Sequence, residues 1–189
     1  MTAVTTETVR NGVDTTTMFA TLDLLEEQPE LGRFQFRATN RWIDGAHNRS
    51  TIRDLYGAGS EMEHARTFTV DAGEPAVLLG EDTGPNPAEL LLSALASCLT
   101  TSLVYVAAAR GVRLTEVSST LEGDADVNGA LGLDDRVRNG FQRIRATFTV
   151  RGDAPPEKLR EVVLRGRDRS FVFDSITAGV PVEIDVVTP

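Results

Sequence analysis

One residue of this chain can act as a soft nucleophile. Cys98 is the only cysteine among 189 residues. It sits in the stretch Asn86-Pro-Ala-Glu-Leu-Leu-Leu-Ser-Ala-Leu-Ala-Ser-Cys98-Leu-Thr-Thr-Ser, and from Leu90 to Ala109 no residue carries a charge. A thiol in such a stretch is either inert filler or the one reactive group of the molecule. Electrostatics decides between them. The thiolate is the nucleophile, and a free thiol ionises near pH ~8.5. Burial disfavours the charged form. Cys98 lies well inside the predicted helix, whereas the terminal dipole fades within the first turn. Only a nearby cation makes a sulfur so placed reactive; without one, Cys98 is a small hydrophobe.

Other residue types with chemical potential form weaker patterns. His47 and His64, with one thiol and no ligand spacing, do not describe a metal site, so neither a metal nor a cofactor is expected. Asp124, Asp126, Asp134 and Asp135 lack the alternation of ligands around a glycine that a calcium loop needs, and read as a solvated connection. Gly80 to Gly84 is not followed by the Gly-Lys-Ser/Thr of a phosphate loop.

The element that must position Cys98 is a helix starting near Asn86 and closed by Gly111, a natural C-cap. It is apolar all round, as a core helix is. Its hydroxyl and alanine content argues for burial in a soluble protein over a membrane span. About 25 residues at 1.5 Å each give roughly 38 Å, more than one domain of this size can cover. Ser93, Ala94, Ala96 and Ser97 would let another helix approach closely, so the missing cover is expected from a second copy of the chain.

Around this helix the pattern predicts a helix over 14–28, closed by Pro29. An alternating strand follows over 33–43, with Phe34, Phe36, Ala38 and Trp42 on one face. Asp44-Gly45 marks a hairpin, with a returning strand at 50–55 that points Ile52 inward and another strand at 67–70. A Gly- and Pro-rich loop over 78–87 leads into the cysteine helix. Beyond Gly111 come a strand over 114–123, an acidic connection over 124–140 with room for a short strand, and a clear strand over 141–151. Asp153-Ala-Pro-Pro-Glu157 opens a helix that runs to about Arg169 with Leu159, Val162 and Val163 on its core face. A last strand is predicted over 181–187. Grouped hairpins point to an α+β fold. Residues 1–32 read as an N-terminal arm carrying a short helix, with residues 1–8 disordered, and 33–189 as the main domain.

Composition excludes some functions. A net charge of -9 leaves no cationic excess to neutralise phosphates, so no nucleic acid is expected, and an anionic membrane surface is disfavoured. One cysteine permits no intramolecular disulfide. The polar, Thr-rich N-terminus lacks the apolar core of a secretory signal. A reducing cytoplasm is the expected compartment.

Two segments together resemble the OsmC/Ohr family of osmotically induced and organic-hydroperoxide-resistance proteins. The first is Gly84-Pro-Asn-Pro-Ala-Glu-Leu-Leu-Leu-Ser-Ala-Leu-Ala-Ser-Cys98, which is similar to that family's cysteine helix. The second is Arg169-Ser-Phe-Val-Phe-Asp-Ser-Ile-Thr-Ala-Gly-Val-Pro-Val182, which is similar to the segment carrying its second cysteine. The resemblance covers roughly 33–187. It implies an OsmC-like intertwined α+β homodimer, with antiparallel sheets wrapped around long central helices. It also implies a thiolate that attacks a hydroperoxide, a sulfenic acid that condenses with the second cysteine, and an external dithiol that reduces the disulfide. An arginine and a glutamate hold the thiolate.

Carried over position by position, Cys98 matches the peroxidatic cysteine and Ser170 stands where the resolving cysteine would be. The glutamate position falls on Ala88, with Glu89 beside it and turned about 100° away on a helix. The arginine belongs to the first hairpin; Arg49 is the best candidate, and Arg41 and Arg53 are rivals. The implied activity is therefore a one-cysteine reduction of organic hydroperoxides, with Cys98, Arg49 and Glu89 as the site residues. An outside thiol or dithiol would act as reductant, and the apolar surroundings favour a lipid-like or aryl peroxide. The alternative is a non-catalytic dimer whose cavity binds or senses a small apolar ligand, with Cys98 only lining the wall.

Overall fold

Asn86 starts the central helix for a local reason. Its side-chain oxygen accepts from Ala88 N at 2.7 Å, while Glu89 reaches back to accept from Asn86 N at 2.8 Å. This reciprocal capping box satisfies two donors that the first turn would otherwise leave bare. At the other end Gly111 takes the left-handed φ of 75°. Val112 N then bonds Ala107 O at 2.9 Å and Gly111 N bonds Ala108 O at 3.2 Å, a Schellman closure.

The computed structural model describes residues 8–188. Its elements in chain order are β1 (Val9–Arg10), β2 (Val13–Asp14), α1 (Thr15–Glu27), β3 (Gln35–Phe36), β4 (Thr39–Asp44), β5 (His47–Gly57), β6 (Ser60–Ala72), α2 (Pro87–Ala109), β7 (Leu114–Asp124), α3 (Val127–Ala130), β8 (Arg143–Gly152), α4 (Pro156–Arg167) and α5 (Phe171–Thr177). The helices and antiparallel sheets make an α+β fold. Two compact units divide the chain: Thr8 with Asp14–Leu91, and Val9–Val13 with the residues from Leu92 on.

In the first unit, Asp14 caps α1 by accepting from Thr16 N and Thr17 N. The strand β5 is the centre of its sheet. Along one edge it pairs with β4 through Thr39↔Thr51 and Arg41↔Arg49, and with β3 through Phe36↔Leu55. Along the other it pairs with β6, placing Arg49 opposite Asp71. The single strand expected over 33–43 is broken into β3 and β4; Arg37 lies between them and donates to Asp54 and Glu61. Phe36 and Trp42, expected to be half-buried, are 71% and 68% exposed; nothing among the described residues covers that face.

In the second unit, β7 and β8 form an antiparallel ribbon in the register Val117↔Val150 and Leu121↔Ala146. Its apolar face meets α2 and α4. Leu103, Ala107, Val112 and Val162 form the buried centre, with Leu159, Phe148 and Val117 packed against it. Gly166 makes the close approach possible: a Cβ there would lie 2.7 Å from Leu103 Cα. The N-terminal hairpin turns at Asn11 and Gly12, both at positive φ. Asn11 accepts from Leu114 N and donates to Val112 O, and Arg10 donates to Ala108 O at the end of α2.

Three expectations are corrected. The region over 124–140 holds the short helix α3, capped by Asp126, rather than a short strand. The helix α5, capped by Ser170, was not expected. The strand predicted over 181–187 is not formed: Val182, Ile184 and Val186 alternate as a strand would but are 78–82% exposed, and no sheet edge among the described residues pairs with them. The disorder expected for residues 1–8 falls, except for Thr8, outside the described residues. Thr8 accepts from Thr15 N at 2.7 Å.

Candidate functional site

The row Leu95, Leu99, Leu103 and Ala107 is the buried side of α2. Cys98 sits beside this row and is half-buried, between two residues, Leu95 and Leu99, that are 4% and 6% exposed. One turn further along, the Ser102 hydroxyl donates to the Arg169 carbonyl at 3.5 Å. The chain that returns past α2 is thus the segment carrying Ser170. Ser170 is 2% exposed, and its hydroxyl accepts from Phe173 N at 3.2 Å. The hydroxyl at this position works as the N-cap of α5, a task a thiol performs poorly. Arg167 stacks over the Phe173 ring at 5.8 Å and pairs with Asp168 at 2.7 Å.

The hairpin arginines are placed as follows. Arg49 donates from Nε to Asp71 at 2.9 Å and from Nη2 to the second carboxylate oxygen at 3.1 Å. His47 Nε2 shares the first of those oxygens at 2.7 Å. These bonds, Arg49 first and His47 second, hold the Asp71 carboxyl below its ordinary range. Arg53 pairs with Glu63 at 2.8 Å. Arg41 lies directly across from Arg49 in the sheet register. Glu89 is occupied by the capping box of α2. Arg49 and Glu89 belong to the first unit, and Cys98, Ser102, Arg169 and Ser170 to the second.

His47 also borders a small pocket of about 90 Å³ that Asp44, Glu81 and Thr83 help to line. Among the described residues no group of three or more His, Cys, Asp or Glu is arranged to hold a metal ion. The partner that sequence reasoning missed is Asp71, since nothing local marks it. Its role follows from the pairing of β5 with β6.

The sequence profile of the OsmC-like proteins matches residues 80–185, a span that contains Cys98, the whole of α2 and Ser170. The chain belongs to the OsmC-like protein family. The fold agrees. An OsmC-like protein from Mycoplasma pneumoniae is 13% identical, with a TM-score of 0.58 over 81% of this chain and 96% of that one. A putative osmotic stress induced and detoxification response protein from Psychrobacter arcticus is 13% identical, with a TM-score of 0.56 over 75% and 88%. An organic hydroperoxide resistance protein OsmC from Legionella pneumophila is 15% identical, with a TM-score of 0.50 over 76% and 91%. No curated protein matches the sequence. Within this OsmC-like fold α2 is the core helix. It is also the described helix long and apolar enough to cross a membrane by length and composition, but Leu103 and Ala107 give its buried side to the protein core.

Proposed function

We propose that this OsmC-like protein is a cytoplasmic stress-defence enzyme that reduces organic hydroperoxides by a one-cysteine cycle through Cys98. The observation that carries the reading is the sulfur itself. It is the one thiol of the chain, half-buried among leucines on the helix that the family profile matches. A relative of the same fold is an organic hydroperoxide resistance protein.

In the cycle the Cys98 thiolate attacks the terminal peroxide oxygen. The S–O bond forms as the O–O bond breaks, and the alkoxide leaves and takes a proton to become the alcohol. Sulfur is oxidised by two electrons to the sulfenic acid. One external thiol condenses with it to a mixed disulfide and water. A second thiol releases Cys98 and departs as the oxidised disulfide. Ser170 cannot substitute for the external thiol, so an unreduced sulfenic acid is open to overoxidation. Leu91, Leu95 and Leu99 suit an aryl or lipid-like peroxide. The test is peroxide loss from cumene hydroperoxide with dithiothreitol; a Cys98→Ser protein as active as the parent ends the proposal.

The proposed assembly is a homodimer. Leu91, Ala94, Ser97, Thr101 and Tyr105 form an exposed row along α2, and Phe36, Trp42 and Ile184 are open as well. Burying such surface against a second copy removes it from water. Sedimentation at micromolar concentration tests this, and a clean monomer contradicts it.

One observation favours the second reading, a non-catalytic binder of small apolar ligands. The leading hairpin arginine, Arg49, is already taken by Asp71. Cys98 alkylating no faster than a free thiol, with no peroxide turnover, selects that reading.

A further inference from the structure

We infer that Arg169 supplies the positive charge that serves the Cys98 sulfur. The inference deepens the peroxidase reading and rests on it for its purpose, though not for its readout. The bond from Ser102 to the Arg169 carbonyl fixes the Arg169 backbone against α2. Ser102 follows Cys98 by four residues, so the two share a face and stand one turn apart, about 6 Å along the axis. That span is within the reach of an extended arginine side chain.

The segment around Arg169 is held on both sides. Gly166 lets α4 close onto Leu103, and the buried Ser170 caps α5. Charge accounting leaves the same residue available. Arg49, Arg53, Arg110, Arg145 and Arg151 are paired with carboxylates. On the segment itself Arg167 and Asp168 pair with each other, whereas Arg169 makes no ion pair among the described residues. The next acid along the segment is Asp174, in the first turn of α5. An exposed guanidinium without a carboxylate partner is free to swing over the half-buried thiol.

A cation within ~4–6 Å shifts the ionisation of an acid by about 1–3 units toward the anion. The probe is iodoacetamide, which reports thiolate at Cys98 whether or not peroxide is turned over. Parent, Arg169→Gln, Arg169→Lys and Arg49→Gln proteins are alkylated at about pH 7 and about pH 10, the second being above the ordinary thiol range. The expected result is an alkylation rate about tenfold lower for Arg169→Gln at neutral pH, convergence with the parent at high pH, and rescue by Arg169→Lys. An unchanged rate for Arg169→Gln, or equal slowing at both pH values, overturns the inference. Peroxide reduction is measured on the same proteins. A parent that reduces no peroxide while Arg169→Gln slows alkylation sinks the peroxidase reading and leaves the assignment standing. Turnover that survives with alkylation unaffected does the reverse.

Discussion

Arg49 grips Asp71 with two hydrogen bonds, 2.9 and 3.1 Å long, across directly paired positions of β5 and β6. The pair resolves a conflict within the sheet. Arg41 faces Arg49 on the opposite strand, and like charges directly opposed destabilise a ladder. Asp71 sets a negative charge at the end of that row, with His47 on the same carboxylate.

Replacing Asp71 by Asn should therefore lower stability at neutral pH, by an amount that fades on acidification. Arg49 and then His47 hold the Asp71 carboxyl below its usual range. A group depressed in the folded state stabilises the fold fully above its unfolded value, near ~3.9 for Asp. That stabilisation is lost as pH falls through the lower folded value. Urea midpoints of parent and Asp71→Asn proteins should differ at about pH 7 and draw together as the solution is acidified through the lowered Asp71 range. A gap that stays constant with pH contradicts the account.

Ser170 should matter twice. Ser170→Ala removes the cap on Phe173 N, and loss of an N-cap costs about 0.5–2 kcal/mol, readable by urea unfolding. Ser170→Cys tests the redox cycle instead. After peroxide treatment the introduced thiol should trap oxidised Cys98 as a disulfide, and mass analysis should show less sulfinic acid than in the parent. Equal overoxidation would mean that position 170 cannot reach the sulfur.

Glu89 separates a cap from a catalyst. Gln completes a capping box as Glu does, so Glu89→Gln should leave stability and peroxide turnover unchanged. Glu89→Ala should cost about 0.5–1.5 kcal/mol, the usual net worth of one hydrogen bond, again without altering the reactivity of Cys98. A tenfold loss of turnover in Glu89→Gln would restore the carboxylate to the chemistry.

The local signals in the sequence carried most of the fold. The charge-free run from Leu90, with Asn86 before it and Gly111 after it, gave the central helix nearly residue for residue. The alternation Ile144, Ala146, Phe148, Val150 gave β8. The Asn11-Gly12 hairpin carries a signal of the same kind in its turn residues. What failed was non-local. Val182, Ile184 and Val186 alternate as a strand should, but strand propensity describes a side chain that fits a half-buried sheet surface, and no edge among the described residues meets this one. The Arg49–Asp71 pair was likewise invisible, because the register between strands is set by the turn and the face each strand buries, not by either residue alone. Arg169 lies within the segment that resembles the family, yet only the bond from Ser102 places its backbone by α2.

Gly166 gives the sharpest stability test. In an open helix, Gly→Ala stabilises by about 0.5–1 kcal/mol. Here the new Cβ would meet Leu103 Cα and N at 2.7 Å, and both are backbone atoms that no rotamer change can move. The helices α2 and α4 would have to separate, pulling Leu103 and Val162 out of contact. Overpacking of this kind costs about 1–3 kcal/mol, which outweighs the propensity gain. Gly166→Ala should therefore unfold at lower temperature, by about 2–4 °C per kcal/mol for a chain of this length. Because Ser102 adjoins Leu103, the same separation should also loosen its bond to Arg169, so Cys98 alkylation at neutral pH should slow in the folded variant. A Gly166→Ala protein as stable as the parent would mean the two helices are less tightly apposed than the 2.7 Å approach requires.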